Sequence, residues 1–351
     1  MPSKRTYLDH AATTPMLPEA RDAWLDAAAI WANPSSPHAE GRAARAALEN
    51  ARERVRGALG WNGEVIFTSG ASEALTIGLT RAKAQRRLVS AVEHDAVFRA
   101  APDAEELPVR NGEVGEENLK EALARPGSAV VAIQSVNSET GTHLLTSDCD
   151  FPAQAVRAAG GLLLADCSQS AAKYPLPEAD MIVISAHKLG GPVGIGALLV
   201  RDFSILKPSG GQERGYRAGT ENLPGAMAFA TALEAMNMDS WATTAEERLG
   251  FRDALGRYGQ VLCPGPQCSH IFAVAAPKLS ANAMLVRMDA LGFAISAGSA
   301  CSSGTLKPSR VLQGFGIDPD LARRTVRISV GWSTKPEELD AFAEAWGQVN
   351  A

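Results

Sequence analysis

Lys188 stands in "MIVISAHKLGGPVGIGALLV", a stretch that is otherwise apolar and glycine-rich. A buried lysine loses its proton readily and becomes a nucleophilic amine able to form a Schiff base. The position equally suits a lysine at a strand end whose stem lies on apolar surface and whose ammonium stays in water. Asp166 follows "LLLA", where a carboxylate must be paired. One partner it would keep cationic is a protonated ring nitrogen. Gln169, three residues on, has an amide that could donate to a ring oxygen. His94 follows "LVSAVE" and suits either stacking on a ring and moving protons, or a satisfied place in the core. "TSGASEA" puts Ser69, Gly70, Ala71 and Ser72 at a helix start. Free N–H groups and the positive dipole end favour a phosphate there, although a plain N-cap reads the same way. Cys301, in "SAGSACSSG", has small neighbours and reads as part of a mobile loop, where reactive thiols concentrate.

These residues fall at the ends of elements that recur with a clear rhythm. "EVIFTSG", "RRLVSAV", "SAVVAIQSV", "GLLLADC", "DMIVISA" and "GIGALLV" read as strands. Helical patterns such as "SEALTIGLTRAKA" and "DFPAQAVRAAG" separate several of them. Apolar, non-alternating strands divided by helices predict an α/β fold with a mostly parallel central sheet covered by helices on both faces. Before it come "PEARDAWLDAAAIW", with proline at a helix start, and a long amphipathic helix within "NPSSPHAEGRAARAALENARERVRGALG", closed by glycine. After "ENLPGAMAFATALEAMNM" the rhythm changes. "HIFAVAAP", "AISAGSA" and "TVRISVG" interleave with helices such as "SANAMLVRMDALG", which predicts a smaller α+β domain. Ligands of open parallel sheets lie beyond the carboxyl ends of the strands. That rim carries "TSGASEA", "EHDAV", "VNSETG", "DCSQS" and "SAHK".

Bulk properties narrow the function class. The 351 residues are 46% apolar and 21% charged with a net charge of -5, ordinary for a globular enzyme. No basic block is present, so nucleic acid and anionic membrane are not expected as partners. No apolar run reaches the length of a membrane helix, and "MPSKRTYLDHAATTP" lacks a signal-peptide core, so a cytoplasmic protein is expected. Five cysteines at irregular spacing argue against a disulfide framework. "CPGPQC" has no second pair at zinc spacing, so no metal is expected. No GxxxxGK[ST] occurs, and "GGPVGIGALL" lacks the third glycine of a dinucleotide fingerprint.

A phosphate cradle, an aspartate, an aromatic cover and a buried amine together fit pyridoxal phosphate held as an imine to Lys188. Here the chain resembles the cysteine desulfurases of the NifS/IscS type, class V within fold type I of the pyridoxal phosphate enzymes. The resemblance is carried by nine ordered motifs: "YLDHAATTP", "NPSSPHAEGRAARAALENAR", "VIFTSGASEA", "EHDAV", "VNSETG", "DCSQS", "SAHKLGGPVGIGAL", "GGQERGYRAGTEN" and "SAGSACSSGTLKPSRVL".

The resemblance implies a fold type I transferase with a large cofactor domain over 14–245 and a small domain over 1–13 and 246–351 that carries the cysteine loop. It implies that Lys188 carries the cofactor, and that Ala71, Ser72, Ser185 and His187 hold its phosphate. Thr220 would reach the phosphate of a second subunit, hence a homodimer. Asp166 would pair with the ring nitrogen, Gln169 with the phenolic oxygen, and His94 would stack and transfer protons. Asn137 would lie between cofactor and substrate. With Arg327, and with help from Asn33, it would grip the carboxylate of L-cysteine. Cys301 would attack the substrate's sulfur, keep it as a persulfide and pass it to an acceptor protein as alanine leaves.

Ser72, Ser138, Ala186 and Cys167 stand where the family commonly has threonine, asparagine, glycine and alanine. Cys167 reads as a small filler beside Asp166. Longer members carry a C-terminal tail that docks on an iron–sulfur scaffold; this chain closes on "AWGQVNA", which leaves iron–sulfur assembly, tRNA thiolation or another pathway open. Selenocysteine lyase, cysteine sulfinate desulfinase and other class V aminotransferases share the scaffold, and a non-catalytic partner of the same fold is a remoter reading.

Overall fold

A computed structural model describes residues 5–298 and 309–351. Cys301 lies outside the described residues. The centre is a seven-stranded sheet: β1 (Glu64–Thr68), β2 (Arg86–Ser90), β3 (Glu105–Leu107), β4 (Ala129–Gln134), β5 (Leu162–Asp166), β6 (Met181–Ser185) and β7 (Gly196–Val200). Their spatial order is β1-β7-β6-β5-β4-β2-β3. Every residue of β4, β5, β6 and β7 is buried, which is why these strands read as unbroken apolar runs.

The pairs from β3 through β6 are parallel, while β7 is antiparallel to both its neighbours. A parallel return needs a crossover of about a dozen residues or more. The link from β6 to β7, residues 186–195, is a compact reversal, so β7 runs back beside β6. Lys188 sits in that reversal, within the 3-10 turn Ala186–Lys188. The sequence rhythm predicts the strand but not its direction. The edge strand β3 has no apolar run to betray it: it reads "EEL".

Helices cover this sheet. α1 (Pro18–Ala28) starts on proline at its first turn. α2 (Ala39–Leu59) is capped by the His38 side chain, which accepts from Gly41 N–H, and ends on Gly60 at φ +61°. α3 (Ala71–Arg81) follows β1 directly, and α4 (Asp95–Ala100) follows β2 through His94. α5 (Leu223–Ala235) buries Leu223, Ala226, Phe229, Ala230 and Leu233 and packs on α1 and α2.

A second, antiparallel sheet is built of β8 (Gln260–Leu262), β9 (Ile271–Ala275), β10 (Ser296–Ala297) and β11 (Thr325–Ser329), in the order β8-β9-β11-β10. It packs with α6 (Ala245–Gly256), and α7 (Pro336–Asn350) packs on α6. The short strand Thr6–Tyr7 pairs in parallel with Phe293–Ala294, and Asp9 bridges to Ser329. Residues 6–9 are thereby held against the C-terminal part of the chain, with Asp9 beside Arg327.

Candidate active site

A cavity of about 620 Å³ opens at the carboxyl ends of β4, β5 and β6. Among its lining residues are Ala71, Ser72, His94, Asp166, Gln169, Ser185, His187, Lys188 and Arg327. Of the residues just named, those as far apart in sequence as Ala71 and Arg327 thus meet in one space because each follows a strand of a sheet or, for Arg327, lies on β11.

Burial pushes the Lys188 amine down to about 8, reinforced by the Arg327 cation and opposed by Asp166 and Asp9. At pH 7 roughly a tenth of this amine is then in its neutral, nucleophilic form. Asp166 is 8% exposed. Its Oδ1 accepts from Ser168 N–H at 2.9 Å and from the Ser168 hydroxyl at 2.5 Å, which fixes the carboxylate. His94 is the N-cap of α4, and its Nδ1 accepts Ala96 N–H at 3.1 Å. That bond leaves the neutral ring's proton on Nε2. Burial, then Lys188, holds the imidazole below its ordinary value, so it stays neutral.

The start of α3 forms one wall. Gly70 takes φ +148°, a conformation that suits glycine, and Gly196 of β7 lies so near that a Cβ there would stand 2.8 Å from Gly70 Cα and 2.5 Å from Ile184 O. This close approach seats the helix N-terminus on the sheet. Glu73 Oε2 takes Ser69 N–H at 2.5 Å and is paired to Arg217 at 3.1 Å. Ala71 and Ser72 lie in the helix's first turn, where backbone N–H groups lack intrahelical partners. His187 is lowered to about 4 by burial and Lys188, and its Nδ1 meets Thr13 Oγ1 at 3.2 Å.

Three buried atoms of cavity-lining residues lack partners among the described residues: Glu93 Oε2, Gln169 Oε1 and Arg327 Nε. Gln169 donates through Nε2 to Ala11 O at 2.9 Å, which leaves its buried Oε1 unbonded. Arg327 donates through Nη2 to Asp9 at 2.7 Å and through Nη1 to Ser138 O at 3.0 Å, which leaves its buried Nε unbonded. Buried groups in this state have ligand-binding capacity.

Three expected site residues stand elsewhere. Asn137 is 1% exposed and is not among the cavity-lining residues. Its Oδ1 accepts from Glu139 N–H and Thr140 N–H at 2.9 Å each, and its Nδ2 donates to Val92 O at 3.2 Å. The side chain shapes the turn after β4, with one Nδ2 hydrogen engaged by Val92 O. Asn33 is exposed, takes Ser35 N–H at 2.8 Å, and is not in the cavity wall. Thr220 is exposed and away from this cavity, on the segment anchored by the buried Arg52–Glu213 pair.

Other lining residues carry chemistry the sequence reading did not assign. Glu93 is fully buried, and burial lifts its carboxyl to about 8. Glu139 is raised, first by burial, and accepts the Ser309 hydroxyl at 2.6 Å. Ser168, also in the wall, holds Asp166, and Asp9, behind the wall, holds Arg327. Each belongs to one of the nine motifs or adjoins it, and motif membership was the signal available. Cys167 is buried with its thiol raised to about 12, as a filler beside Asp166 would be.

The aminotransferase class-V family model matches residues 6–342. A cysteine desulfurase of Cereibacter sphaeroides is 34% identical, over 97% of this chain and 94% of that protein. A cysteine desulfurase of Frankia sp. (strain EuIK1) is 37% identical, over 96% of this chain and 89% of that protein. The X-ray structure of a NifS-like protein from Rickettsia africae superposes with a TM-score of 0.86 at 25% identity, covering 98% of this chain and 99% of that one.

Proposed function

The chain belongs to the class-V aminotransferase family and, within it, to the cysteine desulfurases; from that premise we propose how its residues divide the work. The observation that carries the reading is one cavity holding a partly buried lysine with a lowered proton affinity, a fixed carboxylate, a neutral histidine, a helix N-terminus and an arginine with a free Nε.

The donor set fits pyridoxal phosphate. When bound, the cofactor supplies a reactive carbonyl and a ring that accepts an electron pair. Lys188 would hold the carbonyl carbon. Ala71, Ser72, Ser185 and His187 would hold the phosphate at the start of α3 and the end of β6. Asp166, kept in place by Ser168, would hold a proton on the ring nitrogen. The unbonded Oε1 of Gln169, or the second hydrogen of its Nε2, would meet the ring's oxygen substituent. His94 would lie over the ring and move protons through Nε2.

Arg327 would receive the carboxylate of L-cysteine on its Nε edge, since Asp9 and Ser138 already orient the other two nitrogens. Lys188, once free, takes the α-proton. The Cys301 thiolate would then attack the substrate's sulfur: an S–S bond forms, the C–S bond breaks with its electron pair left on the substrate's β-carbon, and that carbon takes up a proton before alanine leaves. The persulfide on Cys301 passes to an acceptor protein of iron–sulfur assembly or another sulfur pathway. Thr220 would serve the phosphate of a second copy, which makes the enzyme a homodimer, with 14–245 as the large domain and 1–13 with 246–351 as the small one. No helix among the described residues is long and apolar enough to cross a membrane. The enzyme is proposed to work in the cytoplasm.

Reconstitution with pyridoxal phosphate tests the cofactor site. The unaltered protein should gain a visible absorption band that borohydride abolishes while fixing the label on the peptide holding Lys188. A Lys188→Ala protein that gains the same band and label would refute the assignment.

A further inference from the structure

Three described residues from separate parts of the chain meet at one wall of the cavity. Glu139 lies in the turn after β4, Gly298 follows β10, and Ser309 precedes the helical turn Arg310–Gly314. The Ser309 hydroxyl donates to Glu139 Oε2 at 2.6 Å while accepting Leu312 N–H at 3.1 Å, so one hydroxyl ties the carboxyl to a helix start. Gly298 passes so near the same carboxyl that a Cβ on it would overlap Glu139 Oε2. Glu139 is itself fixed, because its backbone N–H is held by Asn137 Oδ1 at 2.9 Å. The next residue back, Ser138, offers its carbonyl to Arg327 at 3.0 Å.

Glu139 is half-buried, and a carboxyl partly withdrawn from water gains from having its hydrogen bonds met. Here it meets a hydroxyl from one side of a ten-residue stretch, 299–308, and a bare glycine backbone from the other. Cys301 belongs to that stretch. We propose that Glu139 is a positioning residue for sulfur removal, fixing Gly298 and Ser309, the described residues that flank the stretch containing Cys301 in sequence. The proposal rests on the reading of Cys301 as the residue that takes the sulfur.

Two substrates separate this role from general support of the pocket. L-cysteine needs a thiolate to attack its sulfur. β-Chloro-L-alanine has the same amine and carboxylate, but its chloride departs unaided and the product is pyruvate, so Cys301 is not needed. With Glu139→Ala holoenzyme, alanine formation from L-cysteine should fall about tenfold or more in kcat, because small misplacements of a reacting group are costly. KM for L-cysteine and pyruvate formation from β-chloro-L-alanine should stay within about threefold of the unaltered enzyme. Gly298→Ala, which displaces the carboxyl without removing it, should show the same pattern, and Glu139→Gln, which keeps an acceptor, should restore most of the rate. Equal losses on both substrates, or no loss on either, would overturn the proposal. A Cys301→Ala enzyme as active on L-cysteine as the unaltered one would instead remove the reading of Cys301 on which it stands.

Discussion

At the scale of the residue, the site depends on burial setting protonation. Lys188 is lowered from its ordinary value of 10.5 to about 8 in the cofactor-free protein. Only the neutral amine attacks a carbonyl. The rate of pyridoxal phosphate incorporation should therefore rise with pH through about 8 and level off above it, as followed by absorbance after mixing. The same shift has a linkage consequence. Between about 8 and 10.5 the unfolded chain binds the proton that the folded chain has released, so the stability of the cofactor-free protein gains from this group as pH rises through that window. Arg327 is the second pivot. Removing it as Arg327→Ala should raise KM for L-cysteine by roughly ten- to a hundredfold, the value of hydrogen bonds to a charged group, in steady-state assays. Its partner Asp9 lies 318 residues away in the chain, and no local pattern announces such a contact. Lys188, Asp166 and His94 were legible because each stands at the end of an apolar strand. Asn137 and Asn33 illustrate the converse: their amides are turn-forming groups here, and only the three-dimensional contacts reveal it.

At the scale of the element, the cradle is a matter of how closely α3 approaches β7. Gly196→Ala would drive a methyl into Ile184 O and Gly70 Cα. It should cost about 1–3 kcal/mol in denaturant unfolding of the apo protein, the usual penalty for overpacking, and weaken pyridoxal phosphate binding in titration. Breaking the buried Arg52–Glu213 pair as Glu213→Ala should cost about 3–5 kcal/mol by the same assay, since Arg52 would keep only Glu49 as a counter-charge and the buried Phe67 N–H would lose its acceptor. The apolar strands β4 to β7 were legible because burial on both faces leaves nothing but apolar residues in them. The direction of β7 was not, because it depends on the compactness of residues 186–195 and not on the strand's composition. The edge strand β3 was hidden for the opposite reason: with one side open it needs no apolar run.

At the scale of the whole molecule, Thr220 is exposed on the chain that carries it, and Trp31 is 82% exposed with Leu25 at 58%. An apolar surface of this kind, and the role proposed for Thr220, both accord with the proposed homodimer. Sedimentation should give roughly twice the 36.9 kDa of one chain, and Thr220→Ala should weaken cofactor retention without changing that mass. The family resemblance was legible across the molecule because nine short motifs keep their order, and the match over residues 6–342 bears it out. The central claim is that L-cysteine loses its sulfur to Cys301. The measurement that tests it most directly is mass spectrometry of the Cys301 peptide after brief exposure of the holoenzyme to L-cysteine, with alanine counted in the same sample. The account predicts one added sulfur atom on Cys301 for each alanine released, and neither in Cys301→Ala. Alanine released at the full rate by Cys301→Ala, or an unmodified Cys301 beside accumulating alanine in the absence of any reductant, would contradict it.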